Sequence, residues 1–266
     1  MPLEYRATDE FRACTLPAEG NPFEDLLASA RFEDMGNGRQ ATVLVKSDEE
    51  NRIPIVRTTT QYSAPAQRFR PAHDRLAQQI QSIASLPASF NNALIESYTN
   101  AYTTMGAHSD QALDLADDSF IAIFSCYRHP GPAKPPRKLL IDSKEPGGGR
   151  LEIPLTHNGV VVFSVDTNRR FKHRIVLDAP ARAPENQWLG ITFRTSKTLV
   201  RLRDGQAQFP DGTRLTLAND EQRREFYRLR RRENNETDFT YPRLTYTISE
   251  SDLMTPDGPA PNSGAA

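Results

Sequence analysis

In Phe171-Lys172-His173-Arg174-Ile175-Val176-Leu177, side chains alternate with the period of two of a β-strand. Phe171, His173, Ile175 and Leu177 share one face, and Lys172 and Arg174 lie on the other. Working outward, residues 160–165 and 188–194 read as flanking strands, and residues 119–127 as a buried one. Lys138–Asp142 and Leu151–Leu155 flank Pro146-Gly147-Gly148-Gly149, which reads as a hairpin. His157-Asn158-Gly159 is another tight turn. Short strands with a turn signal every ten or so residues, and few helices after residue 90, indicate a mostly β chain with flanking helices. The expected fold is a double-stranded β-helix, or jelly-roll barrel. Such barrels take ligands inside the mouth.

Towards the N-terminus, residues 21–32 suggest a short helix, Met35-Gly36-Asn37-Gly38 a turn, and 41–46 a strand. Residues 53–62 are β-branched but interrupted by Pro54, which predicts an edge strand. Leu76, Ile80 and Ile83 recur at helical spacing within 71–85, with His73 near the start as a capping or surface residue. Residues 90–98 lead towards the segment Met105-Gly106-Ala107-His108-Ser109-Asp110. After Leu199 the character changes. Residues 201–217 read as a hairpin around Pro210-Asp211-Gly212. Asn219-Asp220 caps a helix through Glu233 that carries Arg223, Arg224, Arg228, Arg230, Arg231 and Arg232, with Phe226 and Leu229 on a narrow apolar side. Residues 239–248 read as a final strand. The expected organisation is an N-terminal extension over 1–52, a core over 53–199, a C-terminal unit over 200–254 and a disordered Pro/Gly/Ser/Ala tail over 255–266.

The formal net charge is −1 and the pI about 6.5, so no global field steers the chain to nucleic acid or to an anionic membrane. No apolar run reaches membrane-spanning length, and the first residues lack a secretory pattern. Cys14 and Cys126 are the only cysteines, so no disulfide framework is implied and a cytoplasmic location is expected.

His108 and Asp110 stand two apart, so an extended backbone projects both side chains from one face. An imidazole and a carboxylate there offer two of the three ligands of a facial triad. His173 is the expected third; His129 and His157 are rivals, but one precedes a Pro-rich loop and the other sits in a turn. Two His and a carboxylate with open positions suit non-haem Fe(II) that activates O2. Arg194, on the next inward-facing strand, has the forked donors that suit a buried carboxylate. With iron on His108, Asp110 and His173, 2-oxoglutarate chelates through its keto acid end and its far carboxylate reaches Arg194.

Residues from about Ile53 to Lys197 resemble the AlkB family of Fe(II)/2-oxoglutarate-dependent dioxygenases. The family's FNxxLINxY segment is matched by Phe90-Asn91-Asn92-Ala93-Leu94-Ile95-Glu96-Ser97-Tyr98, and its GxHxD by Gly106 to Asp110. Its HG turn, Thr-Asn pair, metal His and RxNxTxR are matched by His157-Asn158-Gly159, Thr167-Asn168, His173 and the stretch from Trp188 to Arg194. Residues 57–62 look like its substrate-lid strand. The resemblance implies iron at His108, Asp110 and His173, with 2-oxoglutarate held by Arg194 and the Tyr98 hydroxyl. It departs at Glu96, which replaces the Asn of NxY, and at Trp188 and Gly190, which replace the first Arg and the Asn of RxNxTxR. The cosubstrate thereby loses one cationic contact, and Lys197 is a weak candidate to replace it. The family's repair members act on N-alkylated bases taken out of the stack. Trp188, Phe69 and Tyr62 are candidates to stack a base, although core or lid packing is the simpler account of each. The substrate thus stays open between an N-alkylated nucleobase, reached with help from the Arg-rich helix, and a small metabolite or protein side chain. A catalytically silent jelly roll that binds a partner through that helix is the alternative of another class.

Overall fold

A computed structural model describes residues 5–6, 10–17, 20–131, 136–178 and 185–258. Strands β1 (Tyr5–Arg6) and β2 (Arg12–Thr15) precede helix α1 (Phe23–Ala28), β3 (Glu33–Asp34) and β4 (Arg39–Val45). β5 (Ile53–Pro54), β6 (Gln67–Arg68) and helix α2 (Pro71–Ile83) follow. β7 (Asn92–Tyr98) and β8 (Phe120–Tyr127) bracket the loop with His108 and Asp110. Next come β9 (Arg137–Ser143), β10 (Arg150–Pro154), β11 (Gly159–Ser164), the short helix α3 (Val165–Arg170), β12 (Phe171–Leu177) and β13 (Trp188–Arg194). The chain continues through β14 (Leu199–Arg203), β15 (Gln206–Gln208), β16 (Thr216–Leu217), helix α4 (Asp220–Asn235) and β17 (Tyr246–Thr247).

The larger sheet runs β1-β2-β11-β8-β13-β7-β4-β3, with β6 beside β4, and the smaller runs β10-β9-β12. Their inner faces share one core: Ile121, Ile123, Val161 and Phe163 from the larger sheet meet Leu139, Ile141, Ile153 and Ile175 from the smaller. On its outer face the larger sheet turns Ala93, Ile95, Phe124, Val162, Leu189, Ile191 and Phe193 towards Phe23 and Leu26 of α1 and Leu76 and Ile80 of α2. Both faces of β7, β8 and β13 are therefore covered. This explains why those strands read as nearly continuous apolar runs rather than alternating ones. The result is the double-stranded β-helix with flanking helices that the turn spacing implied.

Several local expectations are corrected. β2 pairs with β11, and β4 with β7, so residues before 52 form part of the barrel wall rather than an extension packed on it. The expected edge strand over 53–62 shrinks to Ile53–Pro54. Beyond it the backbone leaves the sheet to bury Arg57 on Asp114 (2.7 Å) and on the Leu244 and Tyr246 carbonyls (2.8 and 2.9 Å). The first C-terminal hairpin turns at Asp204-Gly205, both with positive φ, the conformation a two-residue hairpin loop demands; Pro210-Asp211-Gly212 forms a second turn after it. The expected strand over 239–248 is reduced to Tyr246–Thr247, beside β16; Pro242, inside it, has no N–H to donate to a ladder. Helix α3 was not anticipated, being too short to show a period; the Ser164 hydroxyl caps it by accepting from Thr167 N–H (2.9 Å). The tail expected to be disordered falls, from residue 259 on, outside the described residues.

His73 does cap α2, but it is fully buried rather than on the surface. Its Nδ1 accepts from Arg70 N–H (3.0 Å), so its proton sits on Nε2, 2.7 Å from Ser29 Oγ. Burial, with Arg70 adding to it, pushes the imidazole down to about 4. The unfolded ring takes a proton near 6.5, so this contribution is complete above about pH 6.5, declines as pH falls and is exhausted below about 4. The expected loss across that window is roughly 3 kcal/mol at most. Denaturant unfolding at several pH values checks this: His73→Asn should flatten that part of the acid limb, whereas an unaltered limb would assign the loss to other groups.

Candidate functional site

The loop after β7 doubles back along β12. His108 N–H donates to the His173 carbonyl (3.0 Å) and His173 N–H to the His108 carbonyl (2.7 Å). A second bridge pairs Thr104 with Val176. His108 is thus an isolated bridge at the edge of the smaller sheet, not part of a regular strand. The pairing sets the two imidazoles side by side, with ring centroids 4.8 Å apart and the ring planes tilted by 51°. Asp110 swings in below them, its Oδ1 3.7 Å from His108 Nε2 and 3.5 Å from His173 Nε2. One ligand atom from each of the three lies within 4.8 Å of the others.

The loop is braced from two directions. From α3, the Asn168 side chain accepts from Asp110 N–H and donates to the Asp110 carbonyl, both at 2.7 Å. From α4, Asn234 Oδ1 accepts from Ser109 N–H (3.1 Å), Arg230 donates to the Ser109 carbonyl, and Glu233 Oε1 accepts from Ala112 N–H (2.7 Å). Glu233 is itself held by Arg230 (2.5 Å) and the Tyr241 hydroxyl (2.7 Å).

Protonation states follow from the surroundings. Burial alone would raise the Asp110 carboxyl, but Arg194, whose Nε lies 2.7 Å from Asp110 Oδ2, and the neighbouring imidazoles outweigh it and hold it well below the ordinary range. Burial, reinforced by His173, holds the His108 ring below the ordinary imidazole range against the pull of Asp110. The His108 Nδ1 lies 2.8 Å from the Gly106 carbonyl; a carbonyl only accepts, so the proton sits there and the Nε2 lone pair faces Asp110. An ionised carboxylate and an unprotonated imidazole are the forms a divalent metal requires. With His173 they make a two-His, one-carboxylate set that fits Fe(II).

A cavity of about 410 Å³ opens beside the triad. Arg194 lines it at the triad end, and Arg39, Glu96, Gln111, Tyr102 and Thr58 to Thr60 also line it. Both polar atoms of the Gln111 side chain, which lines this cavity, are buried without a hydrogen-bond partner in the protein, which fits a site built for a polar ligand. A larger basin of about 1020 Å³ contains none of the triad; Lys197 belongs there, on Asp117 (3.1 Å), and so does not compensate for Trp188. His157 accepts from Tyr127 N–H (3.1 Å) and stands outside the triad, as does His129. The three aromatic candidates are packing residues. Trp188 is 2% exposed, with its indole N–H on Ser125 Oγ (2.7 Å); Phe69 packs on Phe193 and His73; Tyr62 is buried. Sequence reasoning missed Arg39, Gln111 and the bracing role of α4. Arg39 falls just before the strand that the apolar run marked, and Gln111 shows nothing beyond lying next to Asp110.

Residues 25–194 match the family model of the 2OG-Fe(II) oxygenase superfamily. No curated protein matches the chain significantly. Among solved structures, that of OsALKBH1 matches at 13% identity with a TM-score of 0.48, over 73% of this chain and 100% of that one. A Pseudomonas putida prolyl-4-hydroxylase matches at 16% identity with a TM-score of 0.39, over 71% and 95%.

Asn168→Ala removes both bonds that hold the Asp110 backbone. Co(II) affinity, followed by visible absorbance, should fall about 10–100-fold; unchanged affinity would make the clamp dispensable.

Proposed function

The chain belongs to the 2OG-Fe(II) oxygenase superfamily, and from that premise we propose that it oxidatively dealkylates an N-alkylated nucleobase in a single strand, with His108, Asp110 and His173 holding the iron. The family uses Fe(II), 2-oxoglutarate and O2. Bound iron supplies the redox chemistry: O2 oxidises 2-oxoglutarate to succinate and CO2 and hydroxylates a substrate C–H bond. The observation that carries the reading is the converged triad with Arg194 locked onto its carboxylate. Arg194 keeps Asp110 ionised and aimed, and the Gly106 carbonyl fixes the His108 tautomer. A hydroxylated N-alkyl group then collapses to an aldehyde and the free base.

What supports a nucleic-acid strand is the helix beside the cavity. Arg230 and Asn234 of α4 line the cavity, while Arg224, Arg228 and Arg231 are exposed on the same helix at the spacing of one face. Such a stripe suits the phosphates that position a strand. The near-neutral net charge favours the second reading, the same chemistry on a small metabolite or protein side chain.

Turnover with Fe(II), 2-oxoglutarate and methylated or unmethylated oligonucleotides, read as succinate and formaldehyde, tests this. The methylated strand should stimulate both products, and His108→Ala should abolish them. Changing Arg224, Arg228 and Arg231 together to Gln should lower the salt slope of strand binding by about 2, from roughly 0.7 per phosphate contact. Succinate release that no methylated strand stimulates would sink the nucleobase reading and leave the dioxygenase; no 2-oxoglutarate turnover would sink both.

A further inference from the structure

The far end of the cavity carries an ion pair that the triad does not use. Arg39 stands opposite Tyr98 across β4 and β7, and Glu96 is two residues along on the same inward face. Arg39 donates to Glu96 Oε1 through Nε (2.9 Å), with Nη2 2.7 Å from the same oxygen, and both residues line the cavity. Those contacts occupy one edge of the guanidinium and leave Nη1 for a second acceptor.

2-Oxoglutarate has two anionic ends. The keto acid end belongs at the metal; the other carboxylate needs a countercharge within the same walls. Three cations line the cavity among the described residues: Arg39, Arg194 and Arg230. Arg194 is engaged with Asp110, and Arg230 with Glu233 and the Ser109 carbonyl; both stand at the metal end. Strand β13 offers no cation further along, because Trp188 lies there with its indole folded over Gly190, where any Cβ would collide with the ring. Arg39 remains. Behind it, outside the cavity lining, the buried Tyr62 and Tyr98 side chains feel the Arg39 and Glu96 charges. The remaining Nη1 edge of the Arg39 guanidinium is thus the donor placed to receive a carboxylate at this end of the cavity.

Resting on the assignment of this cavity to the cosubstrate, we infer that Arg39 of β4 binds the distal carboxylate of 2-oxoglutarate, with Glu96 holding the guanidinium in place and attenuating its pull. The cation absent from β13 is thus supplied by a strand two positions away in the same sheet. Glu96 offsets the Arg39 charge when no anion is bound, and competes with the anion when one is.

Equilibrium binding tests this without turnover. The protein is loaded with Zn(II), and quenching of its single tryptophan, Trp188, whose ring lies 4.7 Å from that of Tyr98, is titrated with 2-oxoglutarate or with 2-oxobutyrate, which lacks the distal carboxylate; calorimetry gives the same constants if the quench is small. Arg39→Gln should weaken 2-oxoglutarate at least about tenfold and leave 2-oxobutyrate unchanged, and Glu96→Gln should tighten 2-oxoglutarate several-fold. Equal weakening of both ligands by Arg39→Gln, or none, would overturn the assignment. If Arg39→Gln does not fold, Glu96→Gln decides: unchanged or weaker 2-oxoglutarate binding overturns it. If the unmodified Zn(II) protein binds neither 2-oxo acid, what fails is the assignment of the cavity to the cosubstrate.

Discussion

Two backbone hydrogen bonds, exchanged between residues 108 and 173, are the constraint on which the site depends. They fix the separation of the imidazoles, because opposed residues on an antiparallel pair have no freedom to slide without breaking both bonds. Asp110 then arrives on the ligand side because it is two residues further along an extended segment. The carboxylate would be costly to bury alone. Arg194, from the opposite sheet, makes it tolerable, so the barrel's two walls meet electrostatically at the triad.

A loop that only brushes a sheet edge needs other support, and the chain supplies it at alternate residues. Asp110 is held by Asn168 of α3, Ala112 by Glu233 of α4, and Asp114 by Arg57. The Arg57–Asp114 pair is almost wholly buried and ties in the carbonyls of residues 244 and 246. Breaking a pair of this kind costs about 3–5 kcal/mol, because the remaining charge stays buried. The segment after residue 199 is therefore part of the site's scaffold: without α4, the backbone of the triad loop would lose three of its anchors. The same helix lines the cavity with Arg230 and Asn234, so one element both steadies the triad loop and walls the cavity.

Much of this was legible in the chain. The strand at 171–177, the spacing of the turns and the inward position of His173 followed from alternation, because a residue's face on a strand depends only on its parity. His108 and Asp110 were legible as a pair for the same reason. The extent of the strand at 53–62 was not, since its β-branched residues are needed for an irregular path around buried Arg57. The depth of His73 was also hidden: a polar residue at a helix start gives no sign that Ser29, from another helix, will cover it. Trp188 and Gly190 looked like two separate departures from a motif, yet in space they are one event, an indole lying where a Cβ would be.

The sequence by itself determined the barrel, the three ligand candidates and an arginine aimed inward, because these depend on local periodicity and residue chemistry. The tertiary structure decided what each charge is paired with. Arg194 is at the Asp110 carboxylate, Arg39 and Glu96 face each other across neighbouring strands, and Glu233 holds a loop from a distant helix. Those pairings depend on which strands are neighbours and in what register, and parity along one strand carries no information about that.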